Sequence, residues 1–258
     1  MHVLVATDWH VISNRIFHPD HTFARALWTT VYISVVSQAL GIVLGLLAAL
    51  MRMSRFRVLR FLSGLYVLIF RGTPVLVQIF FFYFALGLPN TVTIGPFTLT
   101  AEVAAGILAL SINEGAYMRE IIRAGIDSID PGQMEAAKSL GMRYGLAMRR
   151  IILPQAARVI VPPLGNEFNN MMKTTSLVYT IGVYELFADA EQGYSQTFHA
   201  EYFVAVAFWY LVLTTTWTFI QAAIERRLAV SERDEGMSAW ERVTGSWNPL
   251  TSWSRGAR

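Results

Sequence analysis

The sequence predicts an all-α polytopic membrane protein with five transmembrane helices, and three observations carry that prediction. The 258 residues are 54% hydrophobic and only 15% charged, where a soluble domain carries about 25% charged residues. The apolar residues are gathered into blocks long enough to cross a hydrocarbon core of about 30 Å. Most of the 21 Lys and Arg fall in alternate connections, the asymmetry that orients membrane proteins. This composition excludes a soluble globular domain and a disordered chain. Cysteine is absent, which excludes disulfides, thiolate metal sites and thiol nucleophiles.

The chain opens with an N-terminal segment, residues 1–28. Its stretch from Met1 to Phe17 has neither a basic n-region nor an apolar h-region, so no cleavable signal peptide is read and the first span serves as the targeting signal. His10, His18, Asp20 and His21 fit no common metal-ligand spacing. Span one, Thr29 to Met51, is 23 residues without a charge, about 34 Å as a helix. Its Gly41 and Gly45 form a small-xxx-small pair that permits close approach of another helix. Span two, Phe61 to Leu88, is apolar apart from Arg71, and span three, Ala101 to Met118, apart from Glu102 and Glu114.

A fourth hydrophobic region, Ile151 to Leu186, is interrupted by Pro154, Pro162, Pro163, Gly165, Glu167 and Lys173. Proline removes a helical donor and crowds the preceding turn. We therefore expect a broken span, roughly Gln155 to Met172, followed by a shorter apolar segment from Thr175 to Leu186. Span five, Tyr202 to Ile224, is again 23 residues without a charge. Residues 29–224 form the transmembrane domain, and 225–258 a polar tail.

The basic residues set the topology. Arg52, Arg55, Arg57 and Arg60 follow span one; Arg119, Arg123, Lys138, Arg143, Arg149, Arg150 and Arg158 follow span three; Arg226, Arg227, Arg233, Arg242, Arg255 and Arg258 lie in the tail. The connections 87–100 and 188–201 have none. The positive-inside rule then places the N-terminus outside and the C-terminus in the cytoplasm, as an odd number of spans requires.

The connection after span three, about residues 130–153, is the most informative. Asp130-Pro131-Gly132-Gln133 reads as a helix start: Asp130 as N-cap, Pro131 at the first helical position, Gln133 closing a capping box. The helix runs from Met134 to Leu140 and stops at Gly141, a residue type that tolerates a left-handed C′ position. Two turns are too short to be stable alone in water. One face carries Ala136, Ala137 and Leu140, small enough for a groove in a soluble partner; a solvated turn is the competing reading. A second helical stretch, Tyr144 to Ile152, is expected to end before Pro154.

Charges at membrane depth cost at least about 2.5 kcal/mol and mark functional positions. Arg71, Glu114, Glu167 and Lys173 qualify. Either they line a polar path or they pair as structural ties, Arg71 with Glu114 and Glu167 with Lys173. Asn166, Asn170, Thr174 and Ser176 add hydrogen-bonding groups near the expected break, serving a ligand or the kinked backbone. Tyr117 gates the path or packs. No nucleic-acid motif and no nucleophile–base constellation is present, so an enzyme or a nucleic-acid binder is not the reading.

The run Glu135-Ala136-Ala137, Gly141, then Ile152-Leu153-Pro154 resembles the "EAA…G…I-LP" loop of the membrane subunits of bacterial binding-protein-dependent ABC importers. Arg71-Gly72-Thr73-Pro74, Ala116-Tyr117 with Glu120, Pro162 to Phe168, and Thr175-Ser176-Leu177 are similar to the polar amino acid branch, the histidine/glutamine permease type. The resemblance covers roughly residues 22–228; Thr174 departs from the acidic or amide residue common before Thr-Ser-Leu.

The resemblance implies a permease subunit of an ATP-driven importer in the bacterial cytoplasmic (inner) membrane. Its partners would be a cytoplasmic ABC ATPase dimer, a second permease chain, an extracytoplasmic solute-binding protein and membrane lipid, with no nucleic acid. Glu135, Ala136, Ala137, Leu140 and Gly141 would dock to the ATPase. The chain has no G-x-x-x-x-G-K-[ST] run, so no cofactor is expected on it, and ATP and Mg would belong to the partner. An amino acid zwitterion needs an acceptor for its ammonium and a donor for its carboxylate, and the buried set offers both signs. The alternative is a stand-alone channel or ion-coupled carrier using the same charges.

Overall fold

Four helix starts among the described residues are set by acidic caps. In the computed structural model, which describes residues 8–236, Asp8 accepts the His10 amide at 2.9 Å and opens α1, Trp9–Phe17. Asp20 accepts the Phe23 amide at 2.7 Å and opens α2, His21–Met53. The first long helix thus begins eight residues before Thr29, and its 33 residues extend about 50 Å, well beyond a hydrocarbon core. The first seven residues, and the end of the tail with Arg242, Arg255 and Arg258, lie outside the described residues.

The region expected as a single span two is two helices, α3 (Arg57–Gly72) and α4 (Val75–Ala85), bent by 105°. Pro74 is the reason. The residue before a proline is driven out of helical conformation, and Thr73 is extended at φ −120°, ψ 147°. Beyond α4 the all-α expectation also needs correction. A two-stranded antiparallel hairpin, β1 (Thr91–Ile94) and β2 (Phe97–Thr100), turns at Gly95, where φ is +59°. The alternating Thr-Val-Thr-Ile and Phe-Thr-Leu-Thr runs carry a two-residue period, which a reading of charge alone overlooks. The rest of the fold is helical.

Thr100 caps α5, Ala101–Asp127. Then come α6 (Pro131–Ser139), α7 (Tyr144–Ala147), one wider turn (Met148–Ile152) and α8 (Leu153–Thr174). Two expectations fail here. The stretch from Tyr144 does not end before Pro154: the wider turn Met148–Ile152 leads directly into α8, whose second residue is Pro154. Nor does α8 break at Pro162 and Pro163, both inside the 22-residue helix. Side chains of the last helix, α10 (Glu201–Gly236), supply donors beside the two prolines: Gln221 Nε2 to the Pro162 carbonyl at 3.2 Å and Trp217 Nε1 to the Gly165 carbonyl at 2.8 Å. The helical path changes only at Thr175–Ile181, a tighter 3₁₀ segment, before α9, Leu186–Thr197.

By length and composition, α2 and residues Glu201–Leu228 of α10 are each apolar enough to cross a membrane, and α3–α4 joins them if the bent pair counts as one span. Helices α5 and α8 are long enough but carry charges.

The core forms where α2 and α5 approach. A Cβ on Gly41 would lie 2.6 Å from Glu114 Cγ, and one on Gly45 would lie 2.9 Å from the Arg119 amide nitrogen. Gly115 reciprocates: its Cβ would lie 2.9 Å from Leu44 Cβ. The Gly41/Gly45 pair is therefore a close-packing seam. Ile33, Ile79, Leu110 and Val178 build the main apolar cluster, and Phe23, Leu186, Ala190 and Val206 a second under α9.

Candidate functional site

The bend between α3 and α4 is held by amides. Gln78 Nε2 donates to the carbonyls of Phe70 at 2.9 Å and Thr73 at 3.1 Å and to Thr73 Oγ1 at 2.8 Å. Asn113 of α5 donates to the same Phe70 carbonyl at 2.8 Å and to Gln78 Oε1 at 3.0 Å. Backbone groups freed by the bend are thus satisfied from within the protein, the requirement for non-helical backbone at membrane depth.

Below this elbow α5 and α8 enclose a cavity of about 220 Å³. Thr73, Pro74 and Val75 line it from the elbow; Leu110, Asn113, Glu114 and Tyr117 from α5; Glu167, Asn170, Met171 and Thr174 from α8. Five residues expected on a polar path therefore meet: Glu114, Tyr117, Glu167, Asn170 and Thr174. Arg71 stands at the edge, its guanidinium 4.9 Å from the centre of the Tyr117 ring, a cation–π distance. The other three lie apart. Asn166 accepts from Gln221 Nε2 at 3.3 Å, Lys173 is exposed, and Ser176 donates to the Lys173 carbonyl at 2.8 Å in the 3₁₀ segment.

Neither expected structural tie forms: among the described residues Arg71–Glu114 and Glu167–Lys173 make no ion pair. Glu114, only 4% exposed, takes a hydrogen bond from Gln38 Nε2 at 3.1 Å instead. Two carboxylates on different helices thus face one small chamber, with a guanidinium at its rim. Such a set has the chemistry to accept from an ammonium or guanidinium group and to donate to a carboxylate.

The α5–α8 connection keeps its expected cap in altered form. Asp130 Oδ1 accepts from the Gly132 amide at 2.7 Å rather than from Gln133, so the capping box is not closed in that sense. Gly141 takes φ +78°, the left-handed value expected of it. Ala137 is buried against the rest of the connection, whereas Glu135 and Ala136 are exposed and Leu140 is 82% exposed. The three apolar residues therefore do not share one outward face; Leu140 and Tyr144 do the projecting.

Several polar residues escaped the sequence reading. Arg119 is buried, donates to Ser63 Oγ at 3.1 Å and pairs with Glu120. Glu185, fully buried, caps α9 through the Ala188 amide at 2.9 Å and accepts from Tyr210 at 2.8 Å. Asp189 accepts from Tyr184 at 2.9 Å, with Arg15 3.9 Å away. Both acids precede the last span in a connection lacking any Lys or Arg, and only burial distinguishes them from solvated residues. Among the described residues no group of acidic and histidine side chains could hold a metal ion.

Residues 41–230 match the family model described as the binding-protein-dependent transport system inner membrane component. The chain is 39% identical over 220 residues to the arginine transport system permease protein ArgU of Corynebacterium glutamicum, covering 81% of this chain and 68% of that one. It is 38% identical over 203 residues to the glutamine transport system permease protein GlnP of Escherichia coli, covering 78% and 90%. A crystal structure of an amino acid ABC transporter with histidines superposes with a TM-score of 0.71 at 38% identity, over 80% of this chain and 94% of that one. The MetNI methionine ABC transporter, at 20% identity and a TM-score of 0.67, shares the fold.

Proposed function

Because this chain belongs to the family of binding-protein-dependent transport system inner membrane components, we propose that it forms, with a second permease chain, the path by which an ATP-driven importer carries a polar amino acid across the bacterial inner membrane. It is a multi-pass permease component, the role carried by relatives named for arginine and glutamine transport. A stand-alone carrier would leave the capped helix α6 without a purpose. The observation that carries the reading is the junction of α6 with both cavity walls: α5 ends four residues before α6, and the helical path from Tyr144 runs unbroken into α8.

In this reading five spans cross the membrane, with the N-terminus outside and the tail and α6 in the cytoplasm. The exposed residues Glu135, Ala136 and Leu140 with Gly141 dock to a cytoplasmic ATPase dimer, which uses ATP and Mg, while Ala137 braces the helix from within. Closure of that dimer moves α6, and α5 and α8 move with it as rigid levers. Glu114 and Glu167 accept the positive groups of the amino acid, and Arg71 faces its carboxylate. An extracytoplasmic binding protein delivers the substrate at the opposite face.

The test is reconstitution of the chain with its co-purifying subunits in proteoliposomes. Arginine or glutamine presented on its binding protein is expected to stimulate ATP hydrolysis and uptake together. Uptake by this chain alone, driven by an ion gradient without ATP, would overturn the proposal.

A further inference from the structure

We propose that the hollow at the turn between α2 and α3 holds the phosphate headgroup of an anionic phospholipid of the inner leaflet. The inference rests on the reading that this turn faces the cytoplasm. The hollow, about 350 Å³, lies far along α5 from the amino acid cavity and is lined by Arg52, Met53, Arg60, Arg123 and Asp127. Three guanidinium groups from three helices converge on it.

Only one of them is neutralised. Arg123 pairs with Asp127 at 2.7 Å and with Glu120 at 3.2 Å. Arg60 Nη1 donates to the carbonyls of Ser54 at 3.2 Å and Arg55 at 3.4 Å, which fix its position and leave its charge uncompensated. Arg52 makes no hydrogen bond or ion pair among the described residues. The single lining carboxylate, Asp127, is engaged by Arg123, so the hollow keeps a net positive charge suited to a phosphate diester.

The surroundings select a lipid over a free anion. Exposed apolar stripes run away from the hollow along both helices that form the turn: Leu46, Leu50 and Met53 on α2, and Phe61, Leu65 and Leu68 on α3. The α3 set recurs at helical spacing, with Phe61 67% and Leu68 70% exposed. A ligand with its charge in the hollow and two hydrocarbon chains along these stripes satisfies both features. Positive-inside bias explains arginines at this level but not their convergence on one concavity.

The importer complex, purified in detergent and titrated with phosphatidylglycerol, phosphatidylcholine or inorganic phosphate, tests the proposal by native mass spectrometry. Phosphatidylglycerol adducts are expected on the assembled pair of permease chains, absent with phosphatidylcholine. At about fivefold per arginine, R52Q/R60Q should weaken them by about twenty-fivefold. R52K/R60K should retain them, and R226Q/R227Q, which removes equal charge elsewhere, should leave them unchanged. Equal loss in the tail control would reduce the effect to bulk charge and overturn the site. So would equal binding of phosphatidylcholine, displacement by millimolar inorganic phosphate, or adducts that vanish once two permease chains pair over the α2–α3 face. Substrate-stimulated ATP hydrolysis on the same preparation tests the transport reading separately, because adducts can be lost while hydrolysis persists.

Discussion

Glu114 and Glu167 share a cavity but have different second roles. Glu114 is buried, accepts from Gln38, and packs its side chain on Gly41; Glu167 lines the cavity without a hydrogen-bond partner of its own among the described residues. Replacing Glu114 by Ala should therefore destabilise the protein by about 1–3 kcal/mol, the cost of stranding a buried donor, as well as impair uptake. Glu167→Gln should lower uptake at least about tenfold while leaving the melting temperature of the complex within a degree or two, since a charge is removed but shape is kept; an unchanged uptake rate would remove Glu167 from the path. Outside the membrane, Asp20 gives a pH signature. The Phe23 amide, and then the Arg15 guanidinium, hold its carboxyl below the usual range. A depressed folded value stabilises above the unfolded value of about 3.9 and is lost as pH falls through the folded one. Protection of the Phe23 amide against hydrogen exchange, relative to an unstructured amide at the same pH, should fall below pH 4, and in Asp20→Ala it should already be low at neutral pH. The ionisable residues of the cavity, Glu114 and Glu167, were legible as candidates because an ion at membrane depth is costly wherever it lies. Gln38, Gln78 and Asn113 were not, because an uncharged amide in an apolar run gives no sign of whether it meets a ligand, a bent backbone or another amide.

Elements show where local chemistry decides and where tertiary contacts override it. Asp130, Pro131 and Gly141 act within a few residues, and the short helix α6 is bounded as their chemistry dictates. Asp130→Ala should cost this helix about 1 kcal/mol. Gly141→Val forces a β-branched residue into φ +78°, at a cost of roughly 1–2 kcal/mol. Both should leave membrane insertion intact and weaken coupling, visible as reduced stimulation of ATP hydrolysis by loaded binding protein. The prolines behave oppositely to expectation for one reason. At Pro74 the side chains of Gln78 and Asn113 donate to the Phe70 and Thr73 carbonyls and hold the backbone bent, whereas beside Pro162 and Pro163 α10 side chains donate to carbonyls of a helix that stays continuous. Sequence spacing identifies a proline, but neighbours decide whether it breaks a helix. The seam of Gly41 and Gly45 was visible as a four-residue spacing; its counterpart at Gly115 lay 70 or more positions away and needed the fold. Gly45→Leu should separate α2 from α5 and lower the melting temperature more than Leu47→Gly, since Leu47 is 53% exposed.

At the scale of the whole molecule, the question is how a movement at α6 reaches a cavity built on the far parts of α5 and α8. Both helices run from the α6 connection to the cavity, and they are in close contact between: a Cβ on Gly125 would lie 3.1 Å from Ile160 Cδ1. On the proposed function a tilt of α6 would displace the walls carrying Glu114 and Glu167 together, and the elbow at Thr73–Pro74, tied to α5 through Asn113, would follow. The opposite end is braced by α1, whose Arg15 carbonyl accepts from Trp209 at 3.3 Å and whose cap residue Asp8 donates to Glu201 at 2.8 Å. This lever works only if α6 and the β1–β2 hairpin lie on opposite sides of the membrane, and the absence of cysteine makes that directly measurable. In intact cells, an impermeant thiol reagent should label Gly95→Cys in the exposed hairpin turn and spare Ser139→Cys and Arg55→Cys. In inverted vesicles the pattern should reverse. Labelling of Gly95→Cys and Ser139→Cys from the same side would require an even number of crossings between them, and would separate the helix that is to be gripped from the ATPase that is to grip it.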